Sequence, residues 1–281
     1  MKQYLKNIIV IFFVLFSFYY TDKVIEISKY NDTILVSINE YASSKDYECR
    51  EGSINEYGIV LGLSGLKVDK NKSYSNMKGI GFKEELIEYK ENKCILNKED
   101  NIDKYIIKGN DYNKNISLVI NITNTKYYKN MINVSNNKDV ELNLLFNYND
   151  LSNEIDNITN HSNILFKGKN MDELNNFIKI LHNEIYCVKI DDFDIKKICS
   201  KKKLNSINKV LEIQDNLLNN VKNNIKNGTI FFISENSKNL KELSTTINYI
   251  QSRGYKIVTI NELLTSIRKV DFCLTNKKLL I

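Results

Sequence analysis

The sequence predicts an α/β protein in which a small α+β module precedes a larger domain of alternating strands and helices. Apolar residues make up 42% and charged residues 26% of the 281-residue chain, enough for a true core. Ser117-Leu118-Val119-Ile120, an amphipathic stretch around Tyr127–Val134 and the run Val140–Phe146 follow one another as strand, helix and strand, the order of a parallel unit. The end of the chain repeats the pattern with clear start and stop signals.

Taken in order, the chain opens with Lys2 and Lys6 ahead of an uncharged run, Ile8–Tyr20, which Asp22 and Lys23 close. This is a secretory targeting profile. The run is short against the ~20 residues of a full span, and neither a small-x-small cleavage site nor a lipobox cysteine follows. Residues 1–22 are therefore expected to be an uncleaved signal anchor, making the protein single-pass at the cell membrane with its domains outside; a cleaved segment would make it secreted. A buried apolar strand is the alternative.

Residues 23–110 read as the small module. Ile34, Leu35, Ile38 and Tyr41 recur at helical spacing after Asp32, and glycines then mark loops at Gly52, Gly58, Gly62 and Gly65. Leu66-Lys67-Val68 reads as a strand. Asp69 can cap a helix bearing Tyr74 and Met77 that Gly79 and Gly81 end, and Leu86–Ile107 holds two further strands.

Residues 111–281 read as the larger domain. Beyond the opening unit, Ile185–Ile190 and Thr229–Ile233 are buried-strand candidates, and Leu204, Ile207, Leu211, Leu218, Val221 and Ile225 predict one face of a long helix between them. Ser237 can cap a helix with Leu240, Leu243, Ile247 and Ile250 on one face, ended by Gly254. Tyr255–Ile260 reads as a strand and Asn261 as the cap of a last helix.

The composition excludes several functions. A net charge of +6 arises from lysines scattered among acids, and no basic stripe interleaved with aromatics supports nucleic-acid binding. Cys49, Cys94, Cys187, Cys199 and Cys273 form no CxxC pair, which argues against zinc-ribbon and thioredoxin-like chemistry. Cys187, inside an apolar run, reads as a small buried hydrophobe, and no disulfide pairing can be assigned. His161 and His182 are the only histidines. Asp191, Asp192 and Asp194 beside Glu184 form the one dense acidic group, read as a solvated strand end rather than a cation site.

The run Gly228-Thr229-Ile230-Phe231-Phe232-Ile233, a helix, then Arg253-Gly254-Tyr255-Lys256-Ile257-Val258-Thr259-Ile260-Asn261-Glu262-Leu263-Leu264 resembles the closing segment of the polysaccharide deacetylase family, the NodB-homology carbohydrate esterases. Gly65-Leu66-Lys67-Val68-Asp69, with Lys72-Ser73-Tyr74 and Leu118-Val119-Ile120-Asn121-Ile122, is similar to a membrane-anchored, sporulation-associated branch. The resemblance implies an incomplete or distorted (β/α) barrel of deacetylase type. It also implies a site in which a divalent metal, held by one Asp and two His, activates water with a second Asp as base and another His as acid.

Base, acid and all but one metal ligand are missing from the matched residues. Asn121-Ile122-Thr123-Asn124 stands where the resemblance expects paired aspartates, so Asn121 and Asn124 are vestigial positions. Asn160-His161-Ser162-Asn163-Ile164-Leu165 stands for the ligand motif, with His161 at the first metal histidine and Leu165 at the second ligand position. Ser234 follows Ile233 where the acid histidine is expected, and Asp191 matches a supporting aspartate. Phe166-Lys167-Gly168 follows directly, as though the segment that normally leads to the next strand were missing. One imidazole does not hold zinc.

The sequence thus predicts a pseudo-deacetylase without catalytic, metal or cofactor residues, tethered to the membrane and binding a cell-envelope polysaccharide or envelope protein. An active carbohydrate deacetylase using zinc or another divalent metal at an unusual site is one alternative, and a structural partner in an envelope or spore assembly is another. An apolar plug beside His161, built from Leu165 and Ile233, is expected where the metal would sit.

Overall fold

The computed structural model describes residues 10–21, 23, 32–155, 158, 163–181, 184–190 and 193–265. The chain forms two compact units: the smaller comprises Gly65–Asn92 with the chain up to Glu48, the larger Cys49–Ser64 with the chain from Lys93. This division differs from one at residue 110. Strands β1 (Ser53–Asn55), β2 (Gly58–Val60) and β5 (Tyr105–Lys108) pair into the sheet of the larger unit and take their residues with them.

In the smaller unit the helix Thr33–Lys45 starts where Asp32 accepts hydrogen bonds from the Ile34 and Leu35 amides. The other oxygen of Asp32 accepts from the Tyr74 hydroxyl at 2.6 Å, so one carboxylate caps this helix and ties it to the helix Lys70–Met77. Asp69 caps that second helix, as its position predicts. Strands β3 (Gly65–Val68) and β4 (Tyr89–Asn92) form an antiparallel pair, and Ile38, Ala42, Val68 and Met77 are the buried core. Residues 10–21 are helical with apolar side chains exposed. No helix among the described residues is long and apolar enough to cross a membrane.

The larger unit is built on an 11-stranded sheet. Its further strands are β6 (Asn115–Asn121), β7 (Asn143–Phe146), β8 (Asn163–Phe166), β9 (Tyr186–Val188), β10 (Ser206–Ile207), β11 (Glu212–Ile213), β12 (Ile230–Ser234) and β13 (Lys256–Ile257). Their order is β1-β2-β5-β10-β9-β8-β7-β6-β12-β11, with β13 beside the first residues of β6. Every pairing is parallel except β1 with β2. The sheet curls into a half-barrel, the distorted, open (β/α) architecture that the resemblance implies.

Alternation along the strands sorts side chains into two cores. Val119, Leu145, Leu165, Tyr186, Ile207 and Phe232 face the barrel interior, where Ile260, Leu263 and Leu264 of the closing segment join them. Leu118, Leu144, Phe166, Phe231 and Ile233 face the other way and belong to the cluster containing Met131, Phe177 and Leu243 of the helices. The closing segment is held by buried polar groups: Asn143 donates to Leu118 O and accepts from Ile260 N, and the Ser117 hydroxyl donates to Val258 O.

Several expectations need correction. The long helix over Leu204–Ile225 is β10, β11 and a short helix, Leu217–Asn224. The residues of that stripe serve opposite faces, Ile207 inside the barrel and Val221 outside, which no single helical stripe can do. The last long helix, Ser237–Ser252, is capped by Asn236, and the final one, Ile260–Leu263, by Thr259. Gly254 ends the former with φ 76°, as the helix stop requires. After Leu165, β8 ends at Phe166 and Gly168 leads into a helix, Met171–Ile180, making a strand–helix unit. A Cβ at Gly168 would strike the Phe166 ring, so only glycine fits that turn.

Cys187 is not a free hydrophobe. It is disulfide-bonded to Cys199, 12 residues on, and Cys49 is bonded to Cys94. Cys273 lies outside the described residues.

Candidate functional site

In parallel barrels the chemistry gathers where strands end, because side chains from many strands converge there on loops free to vary. Register brings three of the sequence-singled positions into one row at that end: Ser234 pairs with Asn121, Asn121 with Leu145, and Leu145 with Leu165. Leu165 is buried in the barrel interior. His161 and Asp191 lie outside the described residues, as do His182 and Asp192. In the chain His161 precedes β8, and the residue that leaves the C-terminal end of β8 is Lys167.

Lys167 is the residue at this end of the sheet that motif reading passed over. Its amide extends the β7–β8 ladder by donating to Phe146 O at 2.8 Å, and two residues beyond Leu165 its side chain returns to the barrel side. There its ammonium donates to Asn121 Oδ1 at 2.7 Å and to the Ile122 carbonyl. Burial holds this ammonium below the usual lysine range, Lys209 adds to that effect, and Asp150, Glu235 and Glu212 oppose it.

The Asn121 amide is bipolar in its use. Its oxygen faces Lys167 while its nitrogen donates to Glu212 Oε1 at 3.3 Å. Glu212 in turn is paired with Lys209 at 3.0 Å. A chain of Lys209, Glu212, Asn121 and Lys167 thus spans the mouth from β11 to β8. Ser234 donates to Gln214 Oε1 at 2.6 Å, so its hydroxyl is engaged as a structural donor.

Asn124 sits in the loop after β6, where its side-chain oxygen accepts from the Lys126 amide at 3.1 Å and its own amide is held by Glu235. Glu235, 3% exposed, accepts from the amides of Thr123 and Asn124 with Oε2 and from those of Tyr127 and Tyr128 with Oε1, at 2.6 to 3.2 Å. One carboxylate therefore shapes the loop and caps the helix Tyr128–Asn136, which has no cap of its own.

The apolar plug was expected beside His161, which lies outside the described residues. Of its two residues, Leu165 lies in an apolar interior and Ile233 faces the helices, while charged and amide groups line the mouth above. The acids near β9 do not form a cluster among the described residues. Glu184 precedes the strand and binds Lys98 and the Tyr186 hydroxyl, whereas Asp194 follows it and accepts from the Tyr105 hydroxyl.

No protein-family model and no curated protein matches the sequence. Solved structures do match in fold. BA3943 of Bacillus anthracis, described as a CE4 family pseudoenzyme, is 20% identical with a TM-score of 0.59 over 85% of this chain and 97% of its own. A mutant of it, described as having restored enzymatic activity, is 19% identical with a TM-score of 0.60 over 84% of this chain and 100% of its own. PdaA of Bacillus subtilis, a family 4 carbohydrate esterase, is 14% identical with a TM-score of 0.50 over 59% of this chain and 87% of its own. The chain has the fold of the CE4 polysaccharide deacetylases.

Proposed function

We propose that this chain is a noncatalytic deacetylase-like protein, held at the outer face of the cell membrane, that binds an envelope glycan or an envelope protein. One observation carries the reading. The row where a metal-bound water would be made consists of an amide, two leucines and a hydroxyl, and the amide oxygen is already taken by a lysine ammonium.

Zinc hydrolysis needs anionic or imidazole ligands with one position left open for water. The described residues of the mouth do not fit that group. Asn121 offers a neutral oxygen, Leu165 offers none, and Lys167 brings positive charge to the place where a cation would have to enter. No hydrolytic step is therefore assigned.

The outward location is supported by two disulfides, which persist in oxidising compartments. It is supported also by the exposed apolar helix at residues 10–21, a face that calls for a nonaqueous partner. Two measurements test the proposal. The purified protein should contain no stoichiometric zinc and release no acetate from acetylated peptidoglycan or chitin fragments; chelator-sensitive acetate release would overturn it. In a sedimentation assay with insoluble peptidoglycan, the protein should pellet with the polymer. A protein left in the supernatant would point to a purely structural envelope partner.

A further inference from the structure

The disagreement between the mouth and a metal has a specific form. We infer that Lys167 is an internal substitute for the divalent cation of this fold, its ammonium occupying the mouth and closing it to metal. The inference rests on the noncatalytic reading above and deepens it.

The surroundings of the Lys167 nitrogen resemble a cation site more than an ordinary ion pair. Its bonds run to an amide oxygen, Asn121 Oδ1, and to a backbone carbonyl, Ile122 O. These are the neutral oxygen types that hard divalent cations accept alongside carboxylates. Asp150, Glu212 and Glu235 all bear on it electrostatically, yet Glu212 is committed to Lys209 and Asn121, and Glu235 to four amides. Removing the ammonium would leave Asn121 Oδ1 and the Ile122 carbonyl without this donor, in a part-buried mouth where Lys209 is already paired with Glu212.

The bland alternative is a lysine that merely snorkels from a strand end, its stem packed and its head solvated. That arrangement would leave the ammonium in water. Here it is turned inward, across β7, onto the end of β6.

The experiment uses the full chain and thermal melts with and without millimolar Ca²⁺ or Mn²⁺, for wild type, Lys167→Met and Lys167→Arg. Wild type and Lys167→Arg should melt alike and ignore the cations. Lys167→Met should melt about 5 °C lower, and cation should recover at least half of that loss. If Lys167→Met does not fold, Lys167→Gln, which keeps an amide donor, is read the same way. A neutral variant that melts like wild type, or that cations fail to recover, overturns the substitution and leaves the noncatalytic reading standing. Acetate release by wild type would instead overturn that reading.

Discussion

At Glu235 one side chain does the work that motif reading assigns to loops. Its two oxygens accept four backbone amides from residues 123–128 while the group is almost wholly buried. A buried carboxylate is tolerable only when so compensated, and each charged hydrogen bond contributes more than a neutral one. Glu235→Gln keeps the shape but turns an NH₂ group toward two amide donors. The substitution should cost about 3 kcal/mol, the range for leaving buried donors unsatisfied, and urea unfolding followed by far-UV circular dichroism measures it. A loss within error of zero would mean the loop has another anchor. The signal was absent from the sequence because donor and acceptor are separated by more than 100 positions, as the Tyr128–Glu235 bond shows. A local cap such as Asp69 was legible, since its partner lies three residues away.

Asn121 is a counterexample at the same end of the sheet. That it is an amide where the resemblance expects an acid was legible, but its partners were not, because they are Lys167 on one side and Glu212 on the other. A carboxylate there would face Glu212, like charge to like charge.

Among the elements, strands with continuous apolar runs were readable: β6, β7 and β12 lie where Leu118–Ile120, Val140–Phe146 and Thr229–Ile233 predict them. The short strands were not. β10 and β11 contribute two residues each, and a pattern of period 3.6 laid over their apolar positions mimics one helix. What fixes them is pairing on β9 and β12, which is tertiary. The disulfide between Cys187 on β9 and Cys199, at the end of the helix Lys196–Cys199, belongs to the same region. It fastens a three-residue strand to the helix that follows. By loop closure alone it should contribute about 3 kcal/mol for a 12-residue loop. A Cys187→Ala/Cys199→Ala double variant should lose that amount in urea unfolding, and hydrogen exchange should show the loss of protection concentrated in β9 and β10. Uniform loss across the sheet would contradict a local role.

For the whole larger unit, two buried tyrosines and one half-buried one couple stability to pH. Tyr105 donates to Asp194, Tyr128 to Glu154 and Tyr186 to Glu184. Burial first, and then the neighbouring carboxylate, raises all three hydroxyls far above their ordinary value of 10.0. Below pH 10 both the folded and unfolded chains keep these protons, so no dependence arises. Above it the unfolded chain releases them while the folded chain holds them, so the folded state binds more protons and stability falls as pH rises. Each tyrosine contributes a slope of about 1.4 kcal/mol per pH unit in that window. Lys167, whose folded-state value is lowered, acts in the opposite sense up to its ordinary 10.5, but it is one group against three. Urea unfolding at a series of pH values either side of 10 should therefore show a steep alkaline decline. Tyr128→Phe, in which Lys129 still pairs with Glu154 at 3.0 Å, should lessen that decline by one tyrosine's share while costing some stability at neutral pH. An unchanged slope in this variant would mean that the Tyr128 proton is not retained on folding, and the hydroxyl would then have no part in the alkaline limit of the fold.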